Sequence, residues 1–108
     1  MHERKARMAD LSDGFVVLPG GFGTLEEAVE ALTWAQLGIQ DKGVVFLDVE
    51  GFWGPFLGVL DHMTAQGFIR PHHRPLAMRA GSVGEALDAL AAHTAPPGTQ
   101  AWLRPEQR

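Results

Sequence analysis

The sequence predicts an α/β protein built on a parallel sheet. Three short runs are continuously apolar or rich in β-formers, and each is followed by a stretch whose apolar residues recur at helical spacing. Strands that are apolar on both faces and joined by helices are typical of parallel sheets covered by helices. The predicted order is one helix followed by three strand–helix pairs, without an internal repeat.

The first half of the chain supplies a helix and one strand–helix pair. Residues 1 to about 12 are polar with interspersed apolar side chains, which favours a helix. Residues 15–18, Phe-Val-Val-Leu, predict the first strand, and Gly38 is a suitable end for the helix that follows. The apolar stripe of that helix consists of Leu25, Ala28, Val29, Leu32 and Ala35.

The second half supplies two further pairs. Residues 44–47, Val-Val-Phe-Leu, predict the second strand, and Pro55 suits the first turn of the next helix, which Gly67 ends. Residues 71–75 predict a loop, residues 76–78 a third strand, and Ser82 the start of a last helix. We place the domain at residues 1–93 and a loose, proline-containing tail at residues 94–108.

Composition excludes several classes of protein. The chain has 108 residues, 45% of them hydrophobic and 20% charged, which suits one globular domain rather than a disordered tail. A net charge of −4 argues against a nucleic-acid partner. The absence of cysteine excludes disulfides, a thiolate nucleophile and a cysteine-based zinc site.

The sequence predicts neither a membrane span nor a secretory signal. No apolar run approaches the roughly 18 residues of a membrane span. The N-terminus is basic without an apolar core, unlike a secretory signal. We therefore expect a cytoplasmic protein with no membrane partner. A sheet of three strands would leave one edge bare, which predicts an incomplete fold or one completed by a partner.

The most informative segment is the glycine turn, residues 19–23 (Pro-Gly-Gly-Phe-Gly), which joins the first strand to its helix. Ligands of parallel sheets bind at the carboxyl ends of strands. Glycines allow close approach of the backbone, and the N–H groups of a helix N-terminus hold anions. The alternative is a tight turn without a ligand.

Glu27 likewise has two interpretations. Thr24 and Glu27 have the spacing of a capping box, in which Glu27 bonds back to the Thr24 N–H. Ser82 and Glu85 have the same spacing without a glycine turn, which predicts a purely structural cap. Spacing alone leaves Glu27 open as a cap or as a catalyst.

At these motifs the sequence resembles the LOG family of cytokinin-activating phosphoribohydrolases, which have long been labelled lysine decarboxylases. The matching segments are residues 1–5 (Met-His-Glu-Arg-Lys), 19–27 (Pro-Gly-Gly-Phe-Gly-Thr-Leu-Glu-Glu), 33–38 and 41–42, and the resemblance runs to about residue 93. It implies a Rossmann-like domain, usually a homodimer. Nothing in the sequence indicates a lysine that binds pyridoxal phosphate, so the sequence does not support a decarboxylase activity.

The resemblance implies hydrolysis of the N-glycosidic bond of cytokinin riboside 5′-monophosphates, or of AMP, to free base and ribose 5-phosphate. It maps catalysis onto Arg4 and Glu27, and implies no metal and no cofactor. It maps substrate contacts onto Arg4, Lys5, Gly21, Phe22, Gly23, Thr24, Leu25, Glu26, Glu27 and Thr33. The chemistry is compatible, because a carboxylate beside C1′ can stabilise an oxocarbenium-like ribose while arginine binds phosphate.

The chain departs from the family at its start. The motif at residues 1–5 lies mid-chain in the family, so we expect the N-terminal part of the domain to be missing. For the basic residues Arg4 and Lys5, the alternative is a solvated end of a helix. A nucleotide-binding module without turnover and a non-functional fragment are the alternatives to the enzyme.

Other residues with possible chemistry are explained more simply. His72 and His73 lie in a proline-flanked loop without a carboxylate at ligand spacing, so a surface loop is favoured over a metal site. We expect Trp34 in the core, although it could line a base pocket. We expect Trp53, in the aromatic loop 51–56, at an interface.

Overall fold

A computed structural model of the protein describes residues 14–93. Within them it shows a three-stranded parallel sheet flanked by three helices, which confirms the predicted α/β class. The elements are β1 (Phe15–Val17), α1 (Phe22–Leu37), β2 (Val44–Leu47), α2 (Gly54–Ala65), β3 (Ala77–Ala80) and α3 (Val83–Ala92). The predicted helix at residues 1–12 and tail at residues 94–108 lie outside the described residues.

The strands follow one another across the sheet in the order β1-β2-β3. Val17 pairs with Phe46, and Phe46 pairs with Arg79 on its other side. The central strand β2 is buried along its whole length, as its continuous apolar sequence predicts. β1 lies at one edge of the described sheet, with Val16 40% exposed.

Helices cover both faces of the sheet. One buried cluster joins Val17 and Phe46 to Ala28 of α1 and Leu57 of α2. A second cluster on the opposite face joins Val45 to α3. α1 and α2 therefore share a face, and each begins at the edge where the strand before it ends. No helix of the described residues is long and apolar enough to cross a membrane.

The predicted glycines lie at the ends of α1 and α2, and the predicted serine begins α3. Gly38 caps α1 in the left-handed conformation at φ 78°, and Gly67 follows α2 at φ 88°. Ser82 is the N-cap of α3. The third strand begins at Ala77 rather than at residue 76, because Leu76 completes a 3₁₀ turn, Arg74–Leu76.

Trp53 contradicts the expectation of an interface position. It is 4% exposed and lies in the core, with its ring 5.1 Å from that of Phe46 and 5.7 Å from that of Phe56. The chain turns at Glu50 and Gly51, both at positive φ, and Trp53 enters the core two residues later. Phe52 is left half-exposed.

Candidate functional site

The N-terminus of α1 is open. The helix begins at Phe22 with Gly21 as N-cap, and no side chain between residues 14 and 93 caps it. The first helical hydrogen bond is donated by Leu25 N–H to the Gly21 carbonyl at 3.0 Å. The three preceding N–H groups, of Phe22, Gly23 and Thr24, therefore have no acceptor within the helix.

This start contradicts the capping-box interpretation of Thr24 and Glu27. Thr24 lies inside the first turn of α1 and is not its N-cap. The equivalent prediction for α3 is confirmed, because Ser82 Oγ accepts from Glu85 N–H at 3.2 Å. Glu85 Oε2 in turn accepts from Gly81 N–H at 2.9 Å, one residue further back than the motif predicts.

Two glycines of the glycine turn face open space. A Cβ built on Gly21 or Gly23 would meet no atom within 4 Å. Gly20 differs, because its Cβ would lie 2.2 Å from Thr24 Oγ1. The backbone of the turn thus approaches the Thr24 hydroxyl closely, and no atom of the described residues covers the open side of Gly21 and Gly23. A small anion has access to this side of the turn.

Glu27 lies one turn beyond Thr24 on the same side of α1. Both residues line a cavity of about 360 Å³ that is bounded by β1 and the first half of α1. Glu27 is exposed, and among the described residues its carboxylate has no hydrogen-bond or ion-pair partner. Within residues 14–93, a carboxylate without a bonding partner thus stands beside the N-terminus of α1.

The other residues of the motif occupy different surroundings. Leu25 is half-buried against the core, Glu26 is exposed, and the Phe22 side chain is 93% exposed. The side chain of Phe22 thus points into solvent, and its backbone N–H is the group that belongs to the open helix end. Arg4 and Lys5 lie outside the described residues.

Thr33 is not brought to the glycine turn. Its hydroxyl donates to the Val29 carbonyl at 2.8 Å. It borders a second cavity, of about 250 Å³, which lies between α1 and α2 and does not include Glu27. Trp34 is half-buried and twelve positions beyond Phe22, about 18 Å along the helix, so it does not reach the turn.

The histidine pair forms no metal site with other described residues. Nowhere between residues 14 and 93 do three histidine, aspartate or glutamate side chains converge suitably for a metal ion. The rings of His72 and His73 lie 4.1 Å apart. Burial lowers the pKa of His73, and the charges of His72 and Arg70 lower this pKa further.

The sequence patterns do not single out Asp48, which begins the loop after β2 (residues 48–53) and precedes the predicted aromatic loop 51–56. Asp48 is buried directly after the strand, where its Oδ1 accepts from Trp53 N–H at 2.8 Å and its Oδ2 lies 2.5 Å from Arg79 Nε. The available signal was an aspartate that follows an apolar strand. This β2–α2 loop lies beside the glycine turn, because both follow neighbouring parallel strands.

The structure is thus that of an α/β protein with a parallel sheet. At the carboxyl end of its first strand lies a strand–glycine turn–helix unit. The chain belongs to the family described as possible lysine decarboxylase, whose model matches residues 1–90. The predicted resemblance to the LOG proteins is confirmed by curated relatives.

Two relatives illustrate the similarity. The chain is 49% identical over 90 residues to a probable cytokinin riboside 5′-monophosphate phosphoribohydrolase, LOGL2, of Oryza sativa subsp. japonica, a match covering 83% of this chain and 37% of the relative. It is 50% identical over 90 residues to cytokinin riboside 5′-monophosphate phosphoribohydrolase LOG1 of Arabidopsis thaliana, covering 83% and 42%. The chain spans about two fifths of the length of these relatives.

Proposed function

We propose that the protein hydrolyses the N-glycosidic bond of cytokinin riboside 5′-monophosphates, or of AMP, to free base and ribose 5-phosphate. The observation that carries the proposal is the open N-terminus of α1 with Glu27 one turn away, a carboxylate that no other residue of the described part of the chain binds. The names of the relatives support the same reaction.

The glycine turn binds the 5′-phosphate in this proposal. The N–H groups of Phe22, Gly23 and Thr24 donate to phosphate oxygens, and the positive end of the helix dipole favours the charge. The Thr24 hydroxyl adds a donor beside Gly20. The uncovered sides of Gly21 and Gly23 admit the phosphate, since a side chain there would occupy its place.

Glu27 acts on the ribose. As the C1′–N bond breaks, its electron pair leaves with the base and positive charge develops on the ribose ring. The Glu27 carboxylate stabilises this charge and orients a water molecule, whose oxygen bonds to C1′. One proton of that water goes to the departing base. The reaction needs no metal and no organic cofactor.

The remaining assignments rest on the resemblance. Arg4 pairs with Glu27 in catalysis and, with Lys5, contacts the nucleotide. Leu25, Glu26 and Thr33 complete the family's set of substrate contacts, although Thr33 borders a different cavity in this chain. We further propose that the protein is a cytoplasmic homodimer.

The test is chromatography of the full chain incubated with isopentenyladenosine monophosphate and, separately, with AMP. We expect release of free base and ribose 5-phosphate from at least one nucleotide. Glu27→Gln should abolish release while nucleotide affinity is kept. Asp88→Asn on α3, which removes an exposed carboxylate on the opposite face of the sheet, is the matched control and should leave the rate unchanged.

Each other outcome has a definite meaning. Saturable AMP binding without product would contradict the hydrolase and support the alternative of a nucleotide-binding module. If Glu27→Gln loses affinity but keeps its turnover rate, Glu27 contacts substrate without catalysing. Absence of both binding and product from a folded, monodisperse sample would overturn the proposed function.

A further inference from the structure

We propose that Phe52 supplies the aromatic surface on which the base of the nucleotide stacks, and that Asp48 is the positioning residue that holds it there. This inference rests on the proposed function and extends it to a residue that contacts the base. It assigns a role to the β2–α2 loop, residues 48–53.

The loop lies beside the glycine turn. β1 and β2 are parallel neighbours, with Val17 opposite Phe46, so the two segments that follow them leave the same edge about 5 Å apart. At its far end the loop returns to this place, because Trp53 shares a buried cluster with Val17 and Ala28 of α1. Phe52 immediately precedes Trp53, so it belongs to the loop that follows β2 at the same edge of the sheet as the glycine turn.

Asp48 fixes both ends of the loop. Its side chain is 1% exposed, and its Oδ1 accepts from Trp53 N–H at 2.8 Å across five residues. Its backbone N–H donates to the Ala80 carbonyl at 2.8 Å, which ties the loop to β3. Arg79 Nε lies 2.5 Å from Oδ2 and balances the buried charge.

The loop is held in a strained conformation. Glu50 adopts φ 53° and ψ 32°, the left-handed region that non-glycine residues rarely occupy, and Gly51 follows at φ 76°. Such strain persists where the surroundings hold the backbone in place, and it is frequent at ligand sites. Here the Asp48 contacts hold it, and the bend brings Phe52 to the surface.

The Phe52 ring packs against Trp53 and is partly exposed to solvent. Its ring meets Trp53 edge to face, with centroids 5.0 Å apart and planes at 88°, and Trp53 is itself packed on Phe46. About half of the Phe52 side chain is exposed. A ring fixed in this way loses little entropy when a flat heteroaromatic base stacks on it.

The experiment separates contacts to the base from contacts to the phosphate. Binding of AMP and of ribose 5-phosphate, which lacks the base, is measured calorimetrically on the full chain. Phe52→Leu removes the ring, Phe52→Tyr keeps it, and Phe68→Leu removes a ring that is 87% exposed and follows α2 instead. We expect Phe52→Leu to weaken AMP by about tenfold, on the scale of one base–aromatic stack, and to leave ribose 5-phosphate unchanged. Phe52→Tyr and Phe68→Leu should bind both ligands as the parent does.

The positioning role has its own readout. Asp48→Ala frees the loop, so AMP should weaken several-fold in folded protein while ribose 5-phosphate affinity is kept. Equal losses for both ligands, or unchanged AMP binding by Phe52→Leu, would overturn this inference and leave the proposed function standing. Failure of the parent chain to bind either ligand would overturn the proposed function and this inference with it.

Discussion

The backbone of Gly20 lies directly against the side chain of Thr24. A Cβ on Gly20 would stand 2.2 Å from Thr24 Oγ1 and 2.8 Å from Thr24 Cβ, closer than real Cβ atoms approach other atoms. The two residues belong to the glycine turn and to the first turn of α1, so their contact holds the threonine hydroxyl at the open end of the helix. Gly20 therefore has a steric requirement that Gly21 and Gly23 lack.

Gly20→Ala should destabilise the protein. The added methyl group must displace Thr24 or the turn, and overpacking of this kind costs about 1–3 kcal/mol. Urea denaturation measures the change in the free energy of unfolding. In a Thr24→Gly background the same substitution should cost much less, because the atoms it meets are gone. Equal costs in both backgrounds would show that the contact does not limit residue 20.

Gly23→Ala should stabilise the free protein and weaken AMP binding. Alanine is the better helix former by roughly 1 kcal/mol, and no atom within 4 Å opposes its Cβ. The same methyl group would enter the proposed phosphate site. Gly58→Ala, in open space on α2, is the matched control and should raise stability without changing AMP affinity. Parallel behaviour of the two variants would contradict a phosphate site at Gly23.

The sheet and its helices could be predicted because local and tertiary demands agree. Residues 44–47 are apolar without interruption, and the structure buries all four as the central strand. Gly38 and Gly67 end helices because the left-handed conformation found there suits glycine. Ser82 caps α3 because its Oγ accepts a hydrogen bond from Glu85 N–H, as the local spacing predicts.

The start of α1 could not be predicted from the same spacing. The helix begins at Phe22 with Gly21 as its N-cap, so Thr24 is not at the capping position that the spacing predicts. The position of Trp53 depends on the left-handed turn at Glu50 and on the hydrogen bond from Trp53 to Asp48. Both are tertiary features that apolar periodicity does not reveal.

Ser82→Ala and Thr24→Ala should differ in their effect on stability. Ser82 Oγ accepts a backbone N–H at the start of α3, so its removal should lower the free energy of unfolding by about 1 kcal/mol. Thr24 lies inside the first turn, where alanine is well tolerated, and its removal should cost less. Thermal and urea denaturation of the two variants give the comparison. A larger cost for Thr24→Ala would restore Thr24 as a cap.

Asp48→Ala should be among the more destabilising substitutions outside the apolar core. It leaves the buried Trp53 N–H without an acceptor, which costs about 1–3 kcal/mol. Asp48→Asn keeps a carbonyl oxygen for that N–H and should cost less. Arg79 is 62% exposed, so solvent weakens its ion pair and the hydrogen bond to Trp53 dominates. Urea denaturation would contradict this ranking if Asp48→Asn equalled Asp48→Ala.

His73 should make the protein less stable in mildly acidic solution. Burial, then the charges of His72 and Arg70, lower the pKa of His73 below its ordinary value of 6.5. Between the folded pKa and about 6.5 the unfolded chain binds a proton that the folded chain does not, so the free energy of unfolding decreases as pH falls through this window. NMR titration of the imidazole measures the folded pKa directly. His72→Gln should raise this pKa by removing a neighbouring positive charge, and His73→Gln should remove its share of the pH dependence. A folded pKa of 6.5 or above in the parent chain would contradict the prediction.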